Sequence, residues 1–191
     1  MTEPLAHDTT QVLLDPASIS RGLRRIAGEI IERSAGTEGL VLIAVRRGGV
    51  LIAREIRSWI LNLEGSQVPM GSVDITLYRD DAPTALPNPR IGPSQIPSRL
   101  DGTRVVLIDD VLYTGRTVRA AIDALIDYGR PRRIELAVLV DRSGRELPIQ
   151  ADYAVRRVEI GPKQRIDVLE DSRGLHAVVR PASAPSELPP P

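Results

Sequence analysis

The chain has 191 residues, 42% hydrophobic and 26% charged, with basic and acidic side chains in equal number. That size and balance suit one globular domain with a sizeable core and exclude a global electrostatic field for nucleic acid. The absence of cysteine excludes disulfides and thiolate metal sites. His7 and His176 stand near opposite ends of the chain and do not suggest a histidine zinc site or a Ser-His-Asp triad. No apolar run reaches transmembrane length, and the start does not read as a secretory signal, so a cytoplasmic location is expected.

Residues 1–11 are polar and expected to be loose. Asp15-Pro16 reads as a helix start, with Asp at the N-cap and Pro at the first helical position. Ile19, Leu23, Ile26, Ala27, Ile30 and Ile31 follow at helical spacing, and Gly36 and Gly39 end the helix. Leu40 to Val45 reads as a buried strand. Arg46-Arg47-Gly48-Gly49 follows it, and the next helix runs from about Val50 to Leu61. Arginine forks bind phosphate oxygens bidentately, and glycines admit backbone amides, so this loop suits a pyrophosphate.

Val68 to Tyr78 reads as strands. Residues 82–103 carry five prolines and little periodicity and are expected to form a lid over the site. Val105 to Ile108 has the length and branching of a second buried strand. Asp109 and Asp110 stand at its end, where open α/β sheets place their ligands. Two carboxylates accept hydrogen bonds from vicinal hydroxyls, which suits a ribose. Thr114-Gly115-Arg116-Thr117 then turns into a helix over about 115–128. Free amides at the helix start attract a phosphate. This strand, acid pair, hydroxyl turn and helix together predict a site for a sugar diphosphate. A P-loop needs Gly-x4-Gly-Lys-Ser/Thr, which is absent, and the single lysine is Lys163. A Gly-x-Gly-x-x-Gly dinucleotide turn is absent at Gly115 as well.

Ile134 to Val140 is a predicted strand ending in Asp141-Arg142. Arg145 to Ile149 reads as irregular, Tyr153 to Val158 as a strand, and two short strands are expected near 166–169 and 176–179. Residues 181–191 hold five prolines and are expected to be a disordered tail. Strand–helix alternation predicts a mostly parallel α/β sheet flanked by helices.

Val105 to Ala121 resembles the phosphoribosyl-diphosphate motif of type I phosphoribosyltransferases. Three strings more narrowly resemble the family of bifunctional pyrimidine-operon regulators and uracil phosphoribosyltransferases (the PyrR family). They are Asp74-Ile-Thr-Leu-Tyr-Arg-Asp-Asp81, Asp109-Asp-Val-Leu-Tyr-Thr-Gly-Arg-Thr117, and Asp141-Arg-Ser-Gly-Arg-Glu-Leu-Pro-Ile149 with Ala151-Asp-Tyr153. The resemblance covers about residues 12–180. It implies the type I phosphoribosyltransferase fold as one domain over 1–180, with a flexible loop at about 79–103 and a small hood at about 141–158 plus terminal segments.

The implied activity joins uracil to phosphoribosyl diphosphate, giving UMP and pyrophosphate, with Mg2+ as cofactor. The implied catalytic residues are Asp109, Asp110 and Arg47. The implied nucleotide-binding set is Arg46, Arg47, Asp109, Asp110, Tyr113, Thr114, Gly115, Arg116 and Thr117. Asp109 and Asp110 would meet the metal indirectly, through ligand or water. Arg79, Asp80 and Asp81 belong to the flexible loop, and Asp141, Arg142 and Tyr153 to the uracil hood. The 6-oxopurine enzymes carry an aspartate just before Thr-Gly; Tyr113 in that place favours a pyrimidine, because a tyrosine of ordinary pKa is a poor base at neutral pH.

The resemblance further implies binding of UMP or UTP, of the leader messenger RNA of a pyrimidine operon through Arg24, Arg25, Arg156 and Arg157, regulation by transcriptional attenuation, and assembly as a homodimer or homotetramer. The chain departs from related regulators at Ser143-Gly144, where Gly-His is common, at Gln150 in place of arginine, and at Gly28 in place of histidine. A phosphoribosyltransferase without RNA regulation, or one for another base, remains the alternative.

Overall fold

The computed structural model describes residues 10–76, 78, 94–97 and 99–183. The expected loose N-terminus to residue 9, the loop residues Arg79, Asp80 and Asp81, and most of the Pro-rich tail lie outside the described residues.

The chain begins with β1 (Gln11–Leu14) and α1 (Pro16–Ser34). The predicted cap is present: the Asp15 side chain accepts from the Ser18 amide at 2.6 Å, and Pro16 opens the helix. Both features satisfy the unpaired donors of a first turn. That hydrogen bond also holds the Asp15 carboxyl below the usual carboxylate range. Then come β2 (Leu40–Val45), α2 (Gly49–Glu64) and β3 (Met70–Val73). They are followed by β4 (Arg104–Leu112), α3 (Arg116–Ile126), β5 (Arg133–Arg142) and β6 (Tyr153–Val158). A hairpin, β7 (Gln164–Asp171) and β8 (Gly174–Pro181), closes the chain.

Five strands form one parallel sheet in the order β3-β2-β4-β5-β6. Strand alternation sorts its side chains into two cores. Leu40, Leu42, Ala44, Val106, Ile108, Ala137 and Leu139 pack under α1 and α2 through Ile19, Leu23, Ile26, Ile52, Ile56 and Ile60. Val41, Ile43, Val45, Val105, Leu107, Leu136 and Val138 face α3 through Val118, Ala121, Ala124 and Leu125. Each fully buried Leu or Ile contributes about 1.5–3 kcal/mol. The closest approach of α1 to the sheet is at Gly22, where a methyl would overlap Val155 of β6.

β1, β8 and β7 make a separate antiparallel sheet in that order. It is built from both ends of the chain and shares Ala177 with the α1–α2 core. Residues 141–158, expected to form a hood together with terminal segments, comprise the end of β5, a connecting segment and the edge strand of the parallel sheet. The two short C-terminal strands are longer than their apolar pattern suggested, because Arg165, Asp167 and Arg180 continue the ladder as charged members.

The arm returning from the predicted lid is part of the body. The Ser72 and Gln95 backbones exchange two hydrogen bonds of 2.8 Å, Leu100 is fully buried, and its amide donates to the Tyr128 carbonyl at 3.2 Å. The expected loop boundary at 103 therefore falls too late, because proline density hid one apolar anchor. Among the described residues no helix is long and apolar enough to cross a membrane.

Candidate active site

Because all five strands of the main sheet run parallel, their carboxyl ends share one edge, and the loops that follow β2, β4 and β5 meet there. β4 extends past the apolar run to Leu112, so Asp109 and Asp110 are strand residues and their side chains diverge. Asp109 is 5% exposed and accepts from the Asp110 amide at 3.0 Å; Asp110 is half-buried and accepts from the Val111 amide at 2.7 Å. Burial pushes the Asp109 carboxyl well above the usual range, and the neighbouring Asp110 charge adds to it. Burial raises Asp110 too, with a further push from Asp167 of β7.

The Arg46-Arg47-Gly48-Gly49 turn lies against this acid pair. A methyl at Gly48 would overlap the Asp110 carboxylate, and one at Gly49 would overlap the Ile108 carbonyl. The two glycines thus let β2's loop touch the end of β4. The Arg46 amide donates to the Val73 carbonyl at 2.9 Å and its Nε to Ser72 Oγ at 3.3 Å, while Arg47 is exposed. The Arg46–Arg47 peptide bond is cis.

Past Leu112 the chain enters the hydroxyl turn. Gly115 has φ +93° and precedes the first residue of α3, a conformation that favours glycine. Thr114 and Thr117 are half-buried and Arg116 is exposed. Tyr113 is covered on one side by the Arg142 guanidinium, 3.9 Å from the ring centre, and a methyl at Gly144 would overlap its ring. Arg142 is itself spent on carbonyls: its Nη1 donates to Gln164 at 2.7 Å, Nη2 to Gly161 at 3.2 Å and Nε to Ser143 at 3.3 Å. Ser143 Oγ bridges to both the amide and the carbonyl of Ile160, at 3.1 and 3.0 Å. A cleft of about 370 Å³ opens here, lined by Asp141, Arg142, Ser143, Gly144, Arg145 and Arg157, among others.

The structure therefore brings together Arg46, Arg47, Asp109, Asp110 and the turn from Tyr113 to Thr117, with Asp141 and Arg142 beside Tyr113. Tyr153 does not join them. It begins β6 level with Ile108, 1% exposed, with its hydroxyl toward the amino end of the sheet, 3.1 Å from Arg104 Nη2 and 3.4 Å from Glu135 Oε2. Its ring packs in the α1–α2 core, and Tyr153 is not among the residues lining the cleft beside Tyr113. The four basic residues expected at an RNA surface each have a place of their own, on α1 and on β6. Arg24 lies over Trp59 at 5.5 Å, Arg25 bonds Glu29 and the Ala154 carbonyl, and Arg156 is exposed on β6. Arg157 points back to Asp141 at 3.5 Å.

Two contributors have no site role predicted from the sequence, although Arg145-Glu146-Leu147 lies within one of the three family strings. Asp167 of the small sheet adds its charge to the field that raises Asp110; it is 6% exposed and flanked by Arg165 at 3.2 Å and Arg180 at 3.9 Å. The Arg145-Glu146-Leu147 segment backs the hydroxyl turn. Both depend on tertiary contacts between distant segments.

A five-stranded parallel sheet thus carries an acid pair and a glycine turn into a helix at its carboxyl edge, where open α/β sheets place their ligands. The phosphoribosyl transferase domain family matches residues 10–168. The chain is 55% identical over 161 residues to the bifunctional protein PyrR of Geobacter sulfurreducens, covering 84% of this chain and 91% of the relative. It is 48% identical to that of Pelotomaculum thermopropionicum over 92% and 97%. Among solved structures, the hypoxanthine phosphoribosyltransferase of Trypanosoma cruzi superposes with a TM-score of 0.66 at 20% identity, covering 90% of this chain and 97% of the other, a likeness of fold alone. The chain belongs to the phosphoribosyltransferases, and within them to the PyrR family.

Proposed function

We propose that this phosphoribosyltransferase transfers the phosphoribosyl group to uracil, and that the same pocket, holding UMP or UTP, controls binding of a pyrimidine-operon leader RNA. The observation that carries the first part is the acid pair wedged between the glycine turn and the hydroxyl turn. Asp109 and Asp110 accept the two ribose hydroxyls. The Thr114–Thr117 amides and hydroxyls take the 5′-phosphate. Arg46 and Arg47, with the amides of the glycine turn, take the pyrophosphate.

Mg2+ fits this donor set. It is commonly held through one or two carboxylates, waters and substrate oxygens, and no group of three or more acidic, His or Cys side chains forms a protein-only cage among the described residues. When bound, the ion would neutralise charge building on the departing pyrophosphate. The rest falls to the chain. The acid pair orients the sugar, Arg47 stabilises the leaving group, and the negative field of the carboxylates favours a cationic sugar in the transition state. Tyr113, packed under Arg142, presents no carboxylate to a base. That supports uracil, whose ring N1 is acidic enough to react without a strong protein base.

Turnover with uracil, orotate, hypoxanthine and guanine, each with phosphoribosyl diphosphate, tests the base. Uracil alone should yield nucleotide; a purine product would replace this reading. The regulatory half is supported by the family's bifunctional name and by exposed Arg24 and Arg156. A gel-shift titration with leader RNA should show UMP-dependent, salt-sensitive binding. Its absence leaves a phosphoribosyltransferase without RNA control, consistent with Ser143-Gly144, Gln150 and Gly28.

A further inference from the structure

The segment Arg145 to Leu147 lies across the back of the hydroxyl turn, and its donors go to carbonyls. Arg145 donates through Nη1 to the Tyr113 carbonyl and through Nη2 to Asp141 Oδ1. The Glu146 and Leu147 amides both donate to the Thr114 carbonyl, at 3.0 and 3.1 Å. The Glu146 carboxylate receives Arg116 Nε–H at 2.7 Å. A methyl at Gly115 would stand 3.4 Å from Cβ of both Leu147 and Ile149.

The N–H and C=O of a planar trans peptide point opposite ways. Drawing the carbonyls of residues 113 and 114 toward 145–147 therefore turns the amides of Thr114 and Gly115 away from that segment. Those two amides then add to the unpaired donors that every helix start presents to an anion.

We propose that Arg145 is a positioning residue for the 5′-phosphate: it sets the orientation of the 113–114 peptide and so of the Thr114 amide. The inference rests on the reading of 114–117 as the phosphate turn. An arginine suits the task because its rigid fork serves two acceptors at once. Here they are the Tyr113 carbonyl and Asp141, the latter also tied to Arg157 at 3.5 Å. A lysine presents one compact charge and cannot fix both. The Arg145-Glu146-Leu147 stretch is thereby assigned to the sugar-phosphate end of the substrate, although it borders the cleft beside Tyr113.

The test uses the full chain and compares wild type with Arg145→Gln and Arg145→Lys. The readouts are KM for phosphoribosyl diphosphate, KM for the accepted base, the calorimetric Kd for phosphoribosyl diphosphate, and the thermal midpoint. Losing a hydrogen bond from a charged donor should weaken phosphoribosyl diphosphate about tenfold or more in both variants, in KM and Kd alike. KM for the base and the thermal midpoint should stay close to wild type. If both KM values rise together with a lower midpoint, Arg145 only supports the fold and the proposal is overturned. It is equally overturned if neither KM moves or if lysine restores full affinity, while the site reading stands. If the wild type itself takes up no phosphoribosyl diphosphate, the site reading fails first.

Discussion

Gly48 and Asp110 sit so close that a single methyl on the glycine would occupy the space of the carboxylate. The loop after β2 and the end of β4 are thus one unit, with the residues proposed for pyrophosphate on one side of the contact and those proposed for ribose on the other.

Gly48→Ala should therefore disturb catalysis more than folding. The added methyl must move either Asp110 or the Arg46–Gly49 turn, a strain of about 1–3 kcal/mol. The thermal midpoint should fall by a few degrees, while kcat/KM for phosphoribosyl diphosphate should fall at least about tenfold, as the acid pair is misplaced. Initial-rate kinetics with the diphosphate varied, alongside a melting curve, measure both. Wild-type kinetics in Gly48→Ala would mean the contact has no functional role.

The raised carboxyls of Asp109 and Asp110 give a pH signature. Their folded pKa values lie above the unfolded ones. Their stabilising contribution is thus full below the ordinary carboxylate range and is lost as pH rises through the raised values. Free protein should be more resistant to unfolding at mildly acidic pH than at neutral pH, as far as these groups decide it. Ligand hydroxyls need the ionised acids, so binding of phosphoribosyl diphosphate should tighten as pH rises and should release protons. Calorimetry in two buffers of different ionisation enthalpy reads the proton count. Proton uptake on binding would contradict the assignment.

At the amino end of the sheet the Arg104–Glu135 pair is buried, 2.6 Å apart, with Arg104 Nη1 also on the Ile30 carbonyl at 3.1 Å. Removing one partner of a buried pair leaves the other charge stranded, at about 3–5 kcal/mol. Glu135→Ala should lose stability on that scale in denaturant titrations. Tyr153→Phe loses the two hydrogen bonds of its hydroxyl, at about 0.5–1.5 kcal/mol each, and should leave the KM for base unchanged. A raised KM in Tyr153→Phe would return Tyr153 to the base pocket.

Much of this was legible before any coordinates. Asp15-Pro16, the apolar runs at 40–45 and 105–108, and the acid pair with its Thr-Gly-Arg-Thr turn are local signals, and each stands where its pattern placed it. What was not legible shares one cause. Tyr153 looked like a pocket residue because it ends a family string, yet its side chain turns into the α1–α2 core and its hydroxyl meets Arg104 and Glu135. Arg145 stands in the irregular connection expected there, but its partners at Tyr113 and Asp141 left no pattern in the sequence. Asp167 gave no sign at all, since its influence on Asp110 depends on how a terminal hairpin docks. Contacts between segments distant in sequence leave no periodicity to read.

The most direct test of the central claim is calorimetric titration of phosphoribosyl diphosphate with saturating Mg2+ into wild type and into Asp110→Asn. The acid pair is assigned the ribose hydroxyls, so wild type should bind at one site per chain, and the variant, folded by its melting curve, should bind at least about tenfold more weakly. Equal affinity in the two proteins, or no uptake by wild type, would contradict it.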